Sequence, residues 1–125
     1  MWQNDFLLRL VISIESIVFL PYSTIFVIKI FHNKVLFIVL KEELIITNEL
    51  GLHARPAAMI AKIARKAKAE IWLEKDGQKV DATSMIDILS IACQKDSKIV
   101  LEADSSDDEL VFEEILKIIQ EGFGE

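Results

Sequence analysis

The chain has 125 residues, 52% of them hydrophobic, and a formal net charge of −6 at pH 7. This length suits one domain with a full hydrophobic core. The acidic balance, without a basic stripe, argues against nucleic acid as a partner. The single cysteine, Cys93, excludes a disulfide within the chain, which fits a reducing compartment such as the cytoplasm, and its apolar neighbours in the sequence predict a buried thiol.

Residues 1–39 differ in composition from the rest of the chain. They carry three basic and two acidic side chains, a net charge of +1. Because the whole chain has a net charge of −6, residues 40–125 have a net charge of −7. Their longest run without a charge, residues 16–28, contains Pro21 and is shorter than the roughly 20 apolar residues of a membrane-spanning helix. The order of charges does not fit a signal peptide either. Three interpretations of this N-terminal extension stay open: translation from a start codon assigned too far upstream, a membrane-associating tether, or an added helical or strand-forming element.

A strand and a helix are predicted at the start of the remaining domain, residues 40–125. Alternation over residues 41–47 predicts the strand, and a loop follows. The helix is predicted to begin near Ala54, because Pro56 suits a first turn and small or apolar residues then recur at helical spacing. Its predicted buried stripe consists of Ala57, Ile60, Ala61, Ile63, Ala64 and Ala67.

The rest of the domain alternates between strand and helix patterns. The predicted elements, in chain order, are a hairpin of residues 70–74 and 78–82 around Asp76-Gly77, a short helix within 84–93, a strand at 98–103 and a closing helix at 107–120. Acidic residues crowd the start of the closing helix, where the helix dipole favours them, and its predicted buried stripe is Val111, Ile115, Ile118 and Ile119. The order β-α-β-β-α-β-α predicts an α+β fold with two layers.

His53 is predicted to lie at or near the N-cap of the first helix. A helix start offers unpaired N–H groups and the positive end of the peptide dipoles, which attract an anion and disfavour a second proton on an imidazole. If a nitrogen of this neutral ring accepts a phosphoryl group, its oxygens can bind the N–H groups of Ala54 and Arg55 and the guanidinium of Arg55. His53 and Arg55 are therefore the candidate catalytic residues, and Ala54 and Arg55 the candidate phosphate-binding residues.

Other kinds of site have little support in the sequence. The only other histidine is His32, and no cluster of cysteine and histidine exists, so we predict neither a metal site nor a hydrolytic triad. Phosphoryl transfer depends mainly on positioning and charge stabilisation, so we predict no cofactor. The plain alternative, in which the histidine is an imperfect helix cap and the arginine a solvated charge, is less favoured because Gly51 and Pro56 agree with the same site geometry.

Residues 51–58, Gly-Leu-His-Ala-Arg-Pro-Ala-Ala, resemble the active-site signature of HPr, the histidine-containing phosphocarrier protein of the phosphoenolpyruvate-dependent sugar phosphotransferase system. The resemblance covers about residues 40–125. It implies an open-faced β-sandwich, in which a four-stranded antiparallel sheet has three helices on one face. It also implies that His53 takes a phosphoryl group on Nδ1 from enzyme I and passes it to the A domains of sugar permeases, with Arg55 as its phosphate partner. Such a protein is a stoichiometric carrier in the cytoplasm, not a turnover enzyme.

The resemblance further implies a docking surface and a regulatory site. The docking surface corresponds to Met59, Lys62, Met85, Ile86 and Leu89. Ser84 matches the serine that HPr kinase/phosphorylase modifies in some branches of the family, and this kinase is then a further partner. Ser84 equally suits the N-cap of the short helix, and Thr83 and Asp87 replace the lysine and glycine that are common beside it, so both roles stay open.

Two functions are compatible with this sequence. The first is a phosphocarrier whose partners are enzyme I and permease A domains, expected to act as a monomer and to meet a membrane only if residues 1–39 form a tether. The second is a regulatory binding module that signals through its phosphorylation state to kinases or transcription factors, with sugar uptake secondary. Leu50, Asp96 and Ser105 depart from residues common in the family, which affects only loop details.

Overall fold

The computed structural model describes residues 15–19, 25–31 and 34–125, with side chains from residue 39 onward. The strands are β1 (Glu15–Phe19), β2 (Ile25–Phe31), β3 (Lys34–Ile45), β4 (Ile71–Lys75), β5 (Gln78–Asp81) and β6 (Lys98–Ala103). The α-helices among these residues are α1 (Ala54–Ala64), α2 (Met85–Ser90) and α3 (Glu109–Gln120), and 3₁₀ turns span Ser106–Asp108 and Gly122–Gly124. The described strands form one antiparallel sheet in the order β1-β2-β3-β6-β4-β5.

Residues 40–125 have the predicted α+β fold. Strands β3, β6, β4 and β5 form the predicted four-stranded antiparallel sheet, and α1, α2 and α3 share one core with it. Alternate residues such as Leu44, Leu73 and Leu101 lie in the same buried cluster as the helical residues Ile60 and Ile115. The residues between them point away from the helices, which is the open face of the sandwich.

The sheet is wider than the predicted four strands, because β1 and β2 pair beside β3. Strand β3 begins at Lys34 rather than Lys41, and it crosses the predicted boundary between residues 39 and 40 without a break. The alternation used to find the strand is absent from residues 35–40, which are all apolar. The backbone of residues 15–19 and 25–31 forms strands, and the three interpretations of residues 1–39 stay predictions. His32 lies outside the described residues. Among the described residues, no helix has the length and apolar character that crossing a membrane requires.

Two predicted helical stripes are wrong at their margins. Helix α1 ends at Ala64, and Ala67 lies beyond it. The N–H groups of Lys66 and Ala67 donate to the carbonyl groups three residues back, at 3.0 and 3.1 Å, which is the pattern of a 3₁₀ turn and not of an α-helix. In α3 the buried residues are Phe112, Ile115, Leu116 and Ile119. Val111 and Ile118 are only partly buried, because the buried residues recur at i, i+3, i+4 and i+7 from Phe112, which leaves these two at the margin of the buried face.

Asp108 joins two parts of the core. It lies at the start of α3, as the acidic pattern predicted, but its side chain does not cap that helix. Its carboxylate oxygens instead accept hydrogen bonds from the backbone N–H groups of Lys68 and Ala69, each at 2.8 Å. Asp108 is 3% exposed, and these bonds tie the connection between α1 and β4 to α3.

A second buried carboxylate lies on the open face of the sheet. Glu102 of β6 pairs across the sheet with Lys41 of β3 and Trp72 of β4. The Nζ atoms of Lys79 and Lys41 lie 3.1 and 4.0 Å from its carboxylate, and Lys79 also lies 5.1 Å from the centre of the Trp72 ring. We call these four residues the Glu102 cluster.

Candidate active site

His53 lies at the N-cap of α1, as the sequence predicted. Its backbone is extended, with φ −82° and ψ −172°, and its carbonyl accepts the first helical hydrogen bond, from Ala57 at 3.0 Å. The imidazole does not bond the N–H groups of the helix start. The N–H groups of Ala54 and Arg55 lie in the first turn, so helix geometry leaves them without an acceptor within the helix, as an anion-binding site requires.

The loop before His53 is anchored on the backbone of Cys93. The N–H of Leu52 donates to the Cys93 carbonyl at 2.8 Å, and Gly51 lies so close that a Cβ there would be 2.2 Å from the same oxygen. Gly51 also has a φ of +65°, which side chains rarely adopt. Cys93 is buried, as predicted, and burial raises the pKa of its thiol, an effect that the nearby Lys75 partly offsets.

The carboxylate of Glu125 bonds to both predicted catalytic residues, although the sequence did not predict Glu125 as a site residue. Its Oε2 lies 2.7 Å from Nε2 of His53 and 3.1 Å from Nη1 of Arg55. The 3₁₀ turn after α3 brings it there: the buried Phe123 has a φ of +59° between two glycines of positive φ, so the chain reverses towards the start of α1. More than 70 positions separate Glu125 from His53, and no local spacing in the sequence indicates this contact.

The partners of Glu125 keep it ionised. A hydrogen bond from Asn48 lowers the pKa of its carboxyl most. Desolvation, the next largest effect, raises that pKa, and the interactions with His53 and the hydrogen bond of Arg55 each lower it by less, so that the pKa is lowered on balance. An ionised carboxylate only accepts hydrogen bonds, so Nε2 of His53 must be the donor. In the neutral ring the lone pair is then on Nδ1, to which no described residue donates a hydrogen bond.

Arg55 is the most exposed member of this group. Its side chain is 55% exposed, compared with 33% for His53 and 22% for Glu125. The guanidinium can therefore exchange one anion for another with little rearrangement of the protein. Among the described residues, no group of three or more acidic, cysteine or histidine side chains is arranged to hold a metal ion.

Asn48 is a second member of the site that sequence reasoning missed. Its place in the sequence predicts only that it lies in the loop after the strand of residues 41–47. Its side-chain amide donates to the Gly51 carbonyl at 2.7 Å and to Oε1 of Glu125 at 3.0 Å. The residue is 5% exposed, and its Oδ1 is buried without a hydrogen-bond partner.

The predicted docking residues lie on the adjacent helices α1 and α2. Ile86 is 76% exposed, and Lys62 is also exposed. Met59, Met85 and Leu89 are partly buried and pack against the core. In the short helix α2, Met85 therefore packs against the core, while its neighbour Ile86 faces solvent. Leu50, 72% exposed, adds an apolar side chain in the loop that precedes His53.

Ser84 is the N-cap of α2. Its Oγ accepts a hydrogen bond from the N–H of Asp87 at 3.3 Å, so the capping role is confirmed. The neighbouring Thr83 donates both its N–H and its hydroxyl to Asp81, and its carbonyl accepts from the guanidinium of Arg65. Phosphorylation of Ser84 stays a prediction.

Comparison with known proteins links this geometry to one family. The sequence model of the family described as "PTS HPr component phosphorylation site" matches residues 40–121. Phosphocarrier protein HPr of Cupriavidus necator is 31% identical over 86 residues, which are 69% of this chain and 97% of that protein. HPr-C-His from Thermoanaerobacter tengcongensis has a TM-score of 0.64 and 36% identity, over 68% of this chain and 96% of that one. An HPr dimer from the same organism has a TM-score of 0.55 and 38% identity, over 66% and 94%, and the monomeric state of this chain stays a prediction.

Proposed function

Because the chain belongs to the HPr phosphocarrier family, we propose that it accepts a phosphoryl group on His53 from phosphorylated enzyme I and passes it to the A domains of sugar permeases. The observation that carries this proposal is the position of His53 at the start of α1. There Nε2 of its imidazole is bound to Glu125, while no described residue donates a hydrogen bond to Nδ1. The protein is then a stoichiometric carrier of one phosphoryl group, not a turnover enzyme. It works in the compartment of its donor, the cytoplasm.

The transfer step needs no proton to move. The Nδ1 lone pair of His53 attacks phosphorus, the new N–P bond forms, and the bond between phosphorus and the donor breaks with its electron pair leaving on the donor. Because Nε2 keeps its hydrogen, the ring becomes positively charged, and the carboxylate of Glu125 stabilises that charge. The N–H groups of Ala54 and Arg55 bind the phosphoryl oxygens at the helix start. Transfer to the next acceptor reverses these bond changes.

Two anions, the carboxylate of Glu125 and the phosphoryl group, compete for Arg55 in this cycle. In the resting protein its guanidinium binds Glu125 at 3.1 Å. A phosphoryl group on Nδ1 has more charge and more acceptor oxygens than a carboxylate, so we expect Arg55 to move to it. The same competition destabilises the phosphorylated form, which suits a carrier that has to release its phosphoryl group to the next protein.

A labelling experiment tests the carrier role. Incubation with enzyme I, phosphoenolpyruvate and magnesium should add one acid-labile, base-stable phosphate to the protein. The His53→Ala variant should accept none, and Ser84→Ala, which alters the other predicted site, should accept as much as the wild type. Labelling of His53→Ala would reject the assignment. Label from ATP on Ser84 with the cognate kinase would support the regulatory alternative.

Docking of both partners is assigned to the apolar surface beside the site. Ile86 is the most exposed apolar residue of this surface, and partly exposed Met59 and Met85 lie on the same two helices. Flexible apolar side chains around a charged centre suit weak binding to several partners. Ile86→Ser should raise the enzyme I concentration needed for half-maximal phosphorylation. Ile45→Ser, a control on the open face of the sheet where Ile45 is 51% exposed, should not.

A further inference from the structure

Asn48 has an unusual set of contacts for a buried residue. It is 5% exposed, it donates two hydrogen bonds through Nδ2, and its Oδ1 has no partner. A buried carbonyl oxygen without a donor is destabilising, and most buried polar atoms in native proteins are paired. The favourable contribution of this side chain therefore comes from the two hydrogen bonds that Nδ2 donates, and not from its oxygen.

The orientation of the amide follows from its surroundings. Both atoms that Nδ2 contacts, the Gly51 carbonyl oxygen and Oε1 of Glu125, can only accept. A reversed amide would bring Oδ1 against these two oxygens, so the nitrogen has to point towards them. Asn48 thus connects the loop before His53 with the turn after α3, two segments that are 77 positions apart.

The Asn48 amide acts on the imidazole through Glu125. While Oε1 of Glu125 is held by Asn48, Oε2 lies on Nε2 of His53. Without the hydrogen bond from Asn48, the carboxylate has only His53 and Arg55 as partners, and both are partly exposed. Because Arg55 is 55% exposed, the carboxylate can then move with it away from the ring towards solvent. An imidazole without a partner on Nε2 exchanges its hydrogen between both nitrogens.

We propose that Asn48 is a positioning residue of this site. It holds Glu125 on Nε2 of His53, which keeps the ring hydrogen on Nε2 and leaves the lone pair on Nδ1. The inference rests on the proposed function in assigning Nδ1 as the phosphoryl acceptor. It adds that a buried amide, which never touches the ring, selects that nitrogen.

Nitrogen NMR of the unphosphorylated protein, at a pH where His53 is neutral, tests this inference. The wild type should show one tautomer, with the hydrogen on Nε2. Asn48→Ala should shift both ring nitrogens towards the averaged values of a mixture of tautomers. In a Glu125→Ala background, Asn48→Ala should cause no further shift. An unshifted ring in the single variant, or an equal shift in both backgrounds, would overturn the inference, the latter because the effect would then come through Gly51.

Asp108→Ala provides the control for stability. It removes a polar side chain that is as deeply buried as Asn48 but lies at the start of α3. It should lower the thermal midpoint while the ring nitrogens keep their wild-type shifts. In the phosphorylation assay, Asn48→Ala should lower the maximal rate severalfold with little change in half-saturation, because the ring loses both its single tautomer and the carboxylate that orients it. Failure of the wild type to accept phosphate would reject the proposed function and leave the tautomer result unaffected.

Discussion

Glu125 and Glu102 each have more than one positively charged or hydrogen-bonding partner, yet their surroundings differ. Glu102 lies within a strand and its side chain is 7% exposed. Its lysine partners extend from β3, which is next to it in the sheet, and from β5, which is the next strand but one. Glu125 follows a turn, its side chain is 22% exposed, and one of its partners is an arginine whose side chain is 55% exposed. A carboxylate fixed between strands stabilises the sheet, whereas one that can be displaced leaves room for another anion. The variants below test this difference, from the largest expected effect to the smallest.

Replacement of Gly51 by alanine should have the largest effect. The added Cβ would lie 2.2 Å from the Cys93 carbonyl oxygen, and the residue has a φ of +65°. We expect the free energy of unfolding to fall by about 4 kcal/mol, because the backbone has to move. Gly77→Ala is the matched control, since Gly77 has a φ of +82° but no atom within 4 Å of a built Cβ, and it should cost only about 1 kcal/mol. Equal losses in urea unfolding would contradict the steric explanation.

Removal of the strand-bound carboxylate should affect stability and leave phosphoryl transfer intact. Glu102→Ala leaves Lys41 and Lys79 without their common partner on the open face. Chemical denaturation should show a loss of about 1–2 kcal/mol, because both lysines can still reach solvent. The phosphorylation rate with enzyme I should equal that of the wild type. A slower rate would mean that the two regions are coupled.

Glu125→Gln should have the opposite pattern. The thermal midpoint should fall only slightly, because ion pairs that are partly open to solvent contribute little to stability. The equilibrium with the phosphorylated donor should shift towards phosphohistidine by several-fold. The reason is that the variant removes a negative charge next to the phosphoryl group and frees Arg55. Quantification of phosphoprotein at equilibrium would measure this. A shift towards the unphosphorylated form would show that Glu125 mainly stabilises the ring.

The pH dependence of the Glu125 contact follows from its lowered pKa. Since the pKa of this carboxyl is lower in the folded protein than in the unfolded chain, its contribution to stability is complete above the ordinary glutamate range. That contribution is lost as the pH falls through the lowered value. Carbon NMR of the side-chain carboxyl should show this titration below that of exposed glutamates, and Asn48→Ala should move it upward, because the hydrogen bond from Asn48 is the largest cause. An unchanged titration would argue against that bond.

The smallest effect is expected at Cys93. Its thiol is buried and its pKa is raised, so alkylation at neutral pH should be slow compared with that of the unfolded chain. Gly51→Ala should accelerate the reaction, because it weakens the packing of the site loop on Cys93. Glu102→Ala, which acts on the other face of the sheet, should not. Mass spectrometry after a timed exposure to iodoacetamide would compare the three proteins.

The sequence predicted the local part of the site and missed its distant part. His53 and Arg55 were found because a helix start, a glycine and a proline lie within a few residues of each other. Glu125 and Asn48 were missed because their contacts depend on the reversal at Phe123, a non-glycine residue with positive φ that no spacing indicates. The early start of β3 was missed for a different reason, since a run that is apolar on both faces lacks the alternation that marks a half-buried strand.

The burial of Phe123 links the packing of the hydrophobic core to the position of the Glu125 carboxylate beside the imidazole. Its ring is 2% exposed and belongs to the same core cluster as Phe112 and Ile119 of α3. A cavity created at those positions would loosen the turn and withdraw the carboxylate while the amides at the start of α1 stay in place. Core substitutions remote from His53 are therefore expected to change its reactivity, and the strength of this effect would measure how firmly the last turn is seated.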